Sequence, residues 1–392
     1  MRILQIIPSI SLVYGGPSQM VLGLSAALAS RGIDVTIITT DSNGDIGQIP
    51  LDVPLNEPIQ QNGYQIIYFR CYPWRRYKFS LSLLQWLNEN ARQFDLAHIH
   101  ALFSPVTTFA ATIARYHKLP YIMRPCGMLD PADLQKKKRL KQIYAAVLER
   151  PNLAGAAAIH FTSKEEAKIS ERFGLGSTGK MPVPRDLVIP LGVTAGLFPK
   201  RLRESEVPII LFMSRIEPKK GLDLLIPALE SILALGIEFH FILAGSNPQD
   251  AEYETQIKVQ IQNSSLAKYT TITGFVSGDL KVELLTKADL FVLPSYYENF
   301  GIAVAEAMTA GVPVAISDRI HIAEDIQQAE AGWVEPLEIG AIAHSIKSAL
   351  LNPQERQRRG LNGQEYARKH YNWEAIAQQT IDAYQQILSS IN

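Results

Sequence analysis

The chain of 392 residues has few cysteines and no surplus of charge, and both features narrow its possible functions. Its two cysteines, Cys71 and Cys126, are too few for a disulfide framework or a cysteine metal cluster, so we expect a reducing compartment. The 38 basic and 38 acidic residues cancel. This balance argues against nucleic acid as a partner, because nucleic-acid-binding proteins usually carry a basic surplus.

Long apolar runs are missing as well. No run approaches the roughly 20 apolar residues of a membrane-spanning helix. The apolar start of the chain, RILQII, ends at Pro8 and is too short for a signal peptide. We therefore expect a cytoplasmic protein, and any contact with a membrane to be peripheral, on its inner face.

Apolar strand candidates alternate with helical stretches along the whole chain, which is typical of α/β folds with parallel sheets. We predict two Rossmann-like, doubly wound domains, at residues 1–195 and 196–372, the first with six or seven strands. The final helix, 373–392, follows the second sheet, and we expect it to pack back onto the first domain. Two such domains place a cleft between them, lined by the carboxyl ends of the strands.

The turn after the first strand reads SLVYGGP. Gly16 at the N-cap and Pro17 at the first helical position predict a favourable helix start. This turn lacks the G-x-G-x-x-G pattern, which argues against a dinucleotide site. Gly15 and Gly16 therefore either form a tight turn only or approach a ligand closely.

The stretch LPSYYENFGIAVAEAM, from Leu293 to Met308, follows a buried strand and turns into a helix predicted at 300–310. Glu298 lies in the turn and Glu306 on the helix, roughly 12 Å apart along the axis if both are helical. That spacing suits a long polar ligand better than a metal. The backbone N–H groups near Asn299, Phe300 and Gly301 lie between the carboxylates, where a phosphate can bind. Taken alone, such a pair is more often two solvated glutamates.

A second charged stretch, SRIEPKKG, follows the first strand of the second domain. Arg215 and Lys220 are expected to converge at the end of that strand, with Lys219 as their neighbour. A guanidinium and an ammonium suit a diphosphate whose charge grows as it leaves. Strand-end loops of one parallel sheet meet at the same edge, so we expect Arg215, Lys220, Glu298 and Glu306 to share a site.

These two stretches resemble the donor site of retaining glycosyltransferase family 4, which has the GT-B fold of two Rossmann-like domains facing each other across a cleft. The Glu-x7-Glu pattern is present as Glu298 and Glu306. Further similar segments are YGGPSQMV, FDLAHIH, RPCGMLDP and IPLGV, so the resemblance covers nearly the whole chain. It implies retaining transfer of a sugar from a nucleotide-diphosphate sugar to a saccharide or lipid-linked acceptor, in polysaccharide or glycolipid synthesis.

The resemblance also implies roles for individual residues. Arg215 and Lys220 would stabilise the leaving diphosphate, Glu298 would bind the transferred sugar, and Glu306 would hold the ribose. Backbone contacts to the donor are implied at the following residues: Gly15, Gly16, Phe275, Val276, Asn299, Phe300 and Gly301. No Asp-x-Asp pair occurs in the sequence, so we expect no metal and no further cofactor.

The acceptor side departs from the family pattern, because Cys126 in RPCGMLDP stands where relatives often have histidine. Either this chain does without that histidine or His100, at the end of an earlier strand, partly replaces it. His98 and His100 lie two residues apart in a strand and share one face, so at most one is expected to touch substrate.

A basic run precedes an amphipathic stretch in the first domain, and positive charge in a helix's first turns opposes its dipole. It contains Lys136, Lys137, Lys138, Arg139 and Lys141. Either it is a solvated face or an anion compensates it, such as phospholipid headgroups or a lipid-linked pyrophosphate acceptor.

The residues alone leave three other classes of protein open. A sugar-nucleotide epimerase on the same fold is the nearest alternative. A two-lobed ligand-binding protein conflicts with the concentrated cations and carboxylates, and an NAD-dependent oxidoreductase lacks its glycine signature in the first turn. The sugar, the base and the acceptor are not readable from the sequence.

Overall fold

The computed structural model describes residues 1–44, 48–72, 77–134, 142–171, 173, 175, 184–193 and 207–391. The chain forms two compact units. Unit 1 comprises Met1–Gly192 together with Trp373–Asn392, and unit 2 comprises Val193–Asn372. Each unit has its own parallel sheet flanked by helices.

Unit 1 follows the order of strands and helices that the apolar pattern predicts, except that an additional strand, Pro58–Gln61, lies between the strands Asp34–Thr40 and Tyr64–Phe69. Its strands are β1 (Arg2–Ile6), β2 (Asp34–Thr40), β3 (Pro58–Gln61), β4 (Tyr64–Phe69), β5 (Leu96–His100), β6 (Tyr121–Arg124), β7 (Ala158–Phe161) and β8 (Arg185–Val188). Its helices are α1 (Gly16–Ala29), α2 (Leu81–Asn90), α3 (Pro105–Tyr116), α4 (Pro131–Leu134), α5 (Arg150–Gly155), α6 (Lys164–Ile169) and the last helix of the chain, Trp373–Ile391.

The described part of unit 1 contains an eight-stranded sheet in the order β3-β4-β2-β1-β5-β6-β7-β8. The prediction of six or seven strands was therefore too low. The missed strand, β3, is short, polar and mostly exposed, so it has no apolar signal. It pairs antiparallel with β4 across a turn in which Asn62 and Gly63 both have positive φ, 45° and 84°. Asn-Gly is a hairpin signal that the sequence does contain.

Unit 2 repeats the pattern. Its strands are β9 (Ile209–Met213), β10 (His240–Ala244), β11 (Thr270–Gly274), β12 (Leu290–Leu293), β13 (Val314–Ser317) and β14 (Gly332–Glu335). Its helices are α7 (Leu222–Ala234), α8 (Ala251–Gln262), α9 (Gly278–Lys287), α10 (Ile302–Thr309), α11 (Ala323–Gln328), α12 (Ile339–Leu351) and α13 (Pro353–His370), which makes the helix at Trp373–Ile391 α14.

The six strands described in unit 2 are all parallel, in the order β11-β10-β9-β12-β13-β14. The first strand, β9, therefore lies at the centre, between β10 and β12. The direction of the strand order reverses there, so the loops after β9 and β12 leave the sheet side by side. Ligands of doubly wound folds bind at such a switch point.

The last helix, α14, packs on α1 within unit 1. The indole of Trp373 lies so close to Gly23 in α1 and to Gly192 that a Cβ at either glycine would overlap it. Farther along α14, Tyr384 is fully buried against the sheet. The helix is thus held at two points along its length.

Candidate functional site

The loop after β9 lies directly against the end of β12. Gly221, the N-cap of α7, has φ +73°, and a Cβ there would overlap the carbonyl oxygen of Pro294. The N–H of Tyr296 donates to the carbonyl of Lys219 at 2.8 Å. Glycine at 221 therefore permits the close approach, and the two predicted charged stretches meet as expected.

Lys220 and Glu298 form a buried ion pair at this contact, although they are 78 residues apart in sequence. The ammonium donates to Oε1 of Glu298, and the two side chains are 8% and 14% exposed. The hydroxyl of Ser295 lies 3.5 Å from the same carboxylate oxygen. The N–H of Glu298 donates to the carbonyl of Arg319 at 3.3 Å, which ties the turn to the loop after β13.

Glu217 is a site residue that the sequence reasoning missed. Its Oε1 lies 3.3 Å from Arg215, 3.5 Å from Lys219 and 3.9 Å from Lys220. The carboxylate therefore holds three cations together while Arg215 stays 42% exposed. Its position in SRIEPKKG could have predicted this role, because a carboxylate among three cations of one loop can form ion pairs with them.

Electrostatics keep both members of the buried pair charged. Burial alone would raise the pKa of Glu298, but Lys220 and then Lys219 outweigh it, so the pKa lies below its ordinary value. Burial lowers the pKa of Lys220, and the attraction of Glu298 opposes this. An incoming anion can therefore take Lys220 as its partner without any proton transfer.

The turn before α10 differs from the predicted helix. The helix begins at Ile302, after Gly301 as its N-cap with φ +79°, so Asn299 and Phe300 precede the helix. Glu298 is not helical, and helical rise does not set its distance from Glu306. Phe300 is 2% exposed and packs on Tyr371 with ring centroids 5.1 Å apart. Only its backbone can serve a ligand.

Glu306 on α10 has a partner that the sequence reasoning also missed. Nζ of Lys281, in α9, lies 2.6 Å from Oε1 of Glu306, and the side chains are 27% and 17% exposed. Lys281 follows the predicted Gly274-Phe275-Val276 segment, where Phe275 is 65% exposed directly after β11 and Val276 is half-buried. All these residues belong to unit 2.

The glycine turn of unit 1 is shifted by one residue from the prediction. Gly15, with φ +71°, is the N-cap of α1, and Gly16 is already its first residue. A short 3-10 turn, Leu12–Tyr14, precedes them. Positive φ requires glycine at 15, and a Cβ there would meet nothing within 4 Å, so the position faces open space.

His100 lies in a buried polar cluster of unit 1. Its Nε2 is 2.6 Å from Oε1 of Gln5, and its ring stacks on His98 with centroids 4.4 Å apart, which confirms that the two share a face. His98 also approaches Tyr384 of α14 at 2.8 Å and His160 at 3.2 Å. Burial lowers the pKa of all three histidines well below 6.5. His100 is 0% exposed, so it is not presented to a ligand at the surface of unit 1.

Cys126 follows β6 in a left-handed conformation, with φ 54°. The next N–H, of Gly127, donates to Glu166 at 3.0 Å, and burial raises the pKa of the Cys126 thiol. The thiol is thus held neutral in a rigid loop. The basic run, Lys136, Lys137, Lys138, Arg139 and Lys141, lies outside the described residues.

Two kinds of feature are absent from the described residues. No group of three or more His, Cys, Asp or Glu side chains there is arranged to hold a metal ion. Within the same residues, no helix has the length and hydropathy to cross a bilayer.

Family models match both halves of the chain. The glycosyl transferase 4-like domain matches residues 15–186, and the glycosyl transferases group 1 model matches residues 196–366. The two regions fall within unit 1 and unit 2 respectively, and the second contains every charged residue of the loops after β9 and β12.

Individual relatives agree with the family models. An uncharacterized glycosyltransferase of Methanocaldococcus jannaschii is 32% identical over 185 residues, 46% of this chain and 45% of that protein, so the match spans less than half of the relative. Phosphatidyl-myo-inositol mannosyltransferase of Mycobacterium leprae is 24% identical over 100% of this chain and 98% of its own. The structure of Anabaena HepE with UDP and glucose has a TM-score of 0.72 at 19% identity, covering 98% of this chain and 99% of that one.

Proposed function

The chain belongs to the GT-B glycosyltransferases of the glycosyl transferases group 1 family, and we propose that it transfers a sugar from a nucleotide-diphosphate sugar with retention of configuration. The observation that carries the proposal is the buried Lys220–Glu298 pair at the switch point of unit 2. A cation for phosphate and a carboxylate for sugar hydroxyls are already in contact there. The solved relative with UDP and glucose shows that this fold accommodates such ligands.

In the proposed donor complex, Lys220 and Arg215 bind the diphosphate, and Glu298 accepts hydrogen bonds from hydroxyls of the transferred sugar. Lys220 exchanges one anionic partner for another, so the positive charge does not have to be brought in from water. The N–H groups at Gly301 and the start of α10 face the phosphate side, and Glu306 accepts from the ribose hydroxyls. Phe275 and Val276 border the base.

The proposed chemistry needs no metal, because Arg215 and Lys220 stabilise the charge that develops on the leaving diphosphate. The bond from the anomeric carbon to the diphosphate breaks, and the acceptor oxygen attacks from the same face. The departing phosphate takes the acceptor's proton, so no protein nucleophile or general base is required.

Transfer assays test this proposal. Purified protein is incubated with a panel of sugar nucleotides in EDTA, and free nucleotide diphosphate is measured with and without saccharide acceptors. We expect turnover with at least one donor, and loss of at least a hundredfold for Lys220→Met or Glu298→Gln, which is the order reported for removing a single group that stabilises transition-state charge. Lys287→Met, at an exposed ion pair of the same unit, is the control. Unchanged turnover in both site variants refutes the site.

Product analysis separates the proposal from the epimerase alternative. NMR of the reaction mixture should show an acceptor-dependent glycoside whose anomeric configuration matches that of the donor. An isomerised sugar nucleotide formed without acceptor identifies an epimerase instead. An inverted glycoside contradicts the retaining course but leaves glycosyl transfer intact.

The basic run at residues 136–141 supports a second part of the proposal, a peripheral contact with anionic membrane that brings a lipid-linked acceptor to a cytoplasmic enzyme. Flotation with anionic vesicles tests it. Wild-type protein should float with the vesicles, and a variant with Lys136, Lys137 and Lys138 replaced by Gln should not. Equal flotation of both proteins contradicts the membrane contact.

A further inference from the structure

A cavity of about 540 Å³ lies in unit 1 at the amino-terminal ends of β6, β7 and β8. Tyr121 and Arg185, the first residues of β6 and β8, line it, together with the end of α3 and the last turns of α14. The Cys126 loop leaves the opposite, carboxyl-terminal end of β6. None of the residues that line the cavity belongs to the proposed transfer site.

Three solvent-exposed cations line this cavity. Arg115 and Lys118 come from the end of α3, and Arg185 comes from β8. Among the residues that the structure describes, none forms an ion pair with these three, and no Asp or Glu lines the cavity. Like charges converging on a concave surface repel one another, and an anion between them removes that repulsion.

Lys118 enters the cavity wall from a left-handed backbone position. Lys118 has φ 56°, in the left-handed region directly after the end of α3, where glycine or asparagine is the usual residue. A lysine pays about 1 kcal/mol for this conformation. Lys118 lines the cavity together with Arg115 and Arg185.

Gly155, at the end of α5, keeps the cavity wall open. A Cβ there would lie 2.8 Å from the hydroxyl oxygen of Tyr121 and 3.0 Å from Cδ of Arg115. The Tyr121 hydroxyl donates to the carbonyl of Asn152 at 2.6 Å, so this side chain, 2% exposed, is fixed in the buried part of the wall. A Cβ at 155 would crowd the Tyr121 hydroxyl most and would also press on the Arg115 side chain.

The remaining wall is apolar or neutral. Leu119 and Ile387 are 5% and 4% exposed, and Gln386 and Ser390 of α14 add uncharged polar groups. Cations at one side and a neutral wall at the other fit a molecule with an anionic group on an uncharged polar body. A volume of about 540 Å³ lies within the range of small-molecule sites, roughly 300 to 1,000 Å³.

We propose that this cavity, hereafter the α3–α14 cavity, binds a phosphomonoester such as a sugar phosphate, as a second ligand site besides the proposed donor site. Arg115, Lys118 and Arg185 hold the phosphate, because one guanidinium group can donate two parallel hydrogen bonds to two oxygens of a phosphate. The sugar-like body lies against Tyr121, Gln386 and Ile387. Such a ligand contacts α3, β8 and α14 together, so it stabilises the attachment of α14 to the rest of unit 1.

Calorimetric titration with glucose 6-phosphate tests the site, with glucose as the uncharged comparison. Wild-type protein should bind the phosphate and not glucose. The double variant Arg115→Gln/Arg185→Gln should bind at least tenfold more weakly, since a hydrogen bond to a charged group is worth roughly 1.5–3 kcal/mol. Arg92→Gln, which removes an exposed arginine outside this cavity, is the control and should bind as the wild type does. Any binding of glucose 6-phosphate at the proposed donor site is the same in all these proteins, so it does not contribute to the difference in affinity between them.

Gly155→Ala gives a steric test that leaves every charge in place, and the crowding of Tyr121 and Arg115 should weaken binding of glucose 6-phosphate. Hydrogen exchange should show slower exchange of the last turns of α14 when glucose 6-phosphate is present, in the wild type only. Vesicles containing phosphatidic acid distinguish the source of the phosphomonoester. Retention that depends on Arg115 and Arg185, without binding of glucose 6-phosphate, identifies a lipid headgroup.

Two results overturn the proposal. One is equal affinity of the wild type and the double variant for glucose 6-phosphate. The other is that millimolar glucose 6-phosphate and the vesicles both fail to bind the wild type. Neither outcome bears on sugar transfer at Lys220 and Glu298, which is measured separately.

Discussion

Replacing Glu298 by glutamine should destabilise unit 2 as well as abolish transfer. The amide keeps the shape of the side chain but leaves the ammonium of Lys220, which is 8% exposed, without its close carboxylate. Removing one partner of a buried ion pair costs about 3–5 kcal/mol. Glu217, 3.9 Å from Lys220, remains as a weaker partner, so we expect the lower end of that range.

The reverse substitution, Lys220→Met, leaves the carboxylate of Glu298 buried, with Arg215 and Lys219 as its remaining cations. It should also destabilise, by about 2–3 kcal/mol, because these cations are more exposed and better screened. The double variant Lys220→Met/Glu298→Gln removes both charges and restores the balance. It should therefore be more stable than the sum of the two single losses predicts, with a coupling of about 2 kcal/mol.

Urea unfolding followed by circular dichroism measures the four proteins, and transfer is assayed in parallel. The pair Lys287 and Glu283, 47% and 53% exposed, is the matched control in the same unit. Its cycle should give a coupling of only about 0.3–0.5 kcal/mol. Coupling at Lys220 and Glu298 that is no larger than at the control pair refutes the buried ion pair. Recovery of stability in the double variant without recovery of transfer separates the structural role from the chemical one.

Three further substitutions test other parts of the structure. Gly221→Ala should displace the loop after β9 and abolish sugar transfer, because its Cβ would overlap the carbonyl oxygen of Pro294. The control Gly236→Ala has a similar positive φ but nothing within 4 Å of its Cβ, so its free energy of unfolding in urea should fall by only about 1 kcal/mol. Acid should destabilise unit 1, because below about pH 6.5 the histidines of the unfolded chain bind protons that the buried histidines of the folded chain do not; each histidine lowers the free energy of unfolding by up to about 1.4 kcal/mol per pH unit, and the full stability is present above that pH. Urea unfolding at several pH values should show that the free energy of unfolding depends less steeply on pH in His160→Gln than in the half-buried control His117→Gln. Lys281→Met should raise the KM for the donor by roughly tenfold with little change in kcat, because the lysine orients Glu306, and an unchanged KM contradicts that role.

The order of strands and helices followed from local pattern alone. Apolar runs such as Leu290–Leu293 are buried on both faces in a parallel sheet, and this leaves a continuous signal in the sequence. The sequence also predicted that Lys220 and Glu298 lie close together, because the loops after two strands of one parallel sheet leave at the same edge. The missed strand β3 has a polar, exposed pattern, and only its hairpin pairing with β4 makes it a strand.

The sequence by itself determined the fold class and the family, and it predicted four charged residues of the proposed site, Arg215, Lys220, Glu298 and Glu306, because these depend on residue type, on spacing and on the regular geometry of parallel sheets. Only the tertiary structure decided which charges are partners. Lys220 meets Glu298, Glu306 meets Lys281, and Glu217 gathers three cations. Pairing of this kind depends on side-chain directions and on a single close approach at Gly221, which no periodicity in a sequence records. The burial of His100 and the cations of the α3–α14 cavity have the same cause: packing between distant segments sets them.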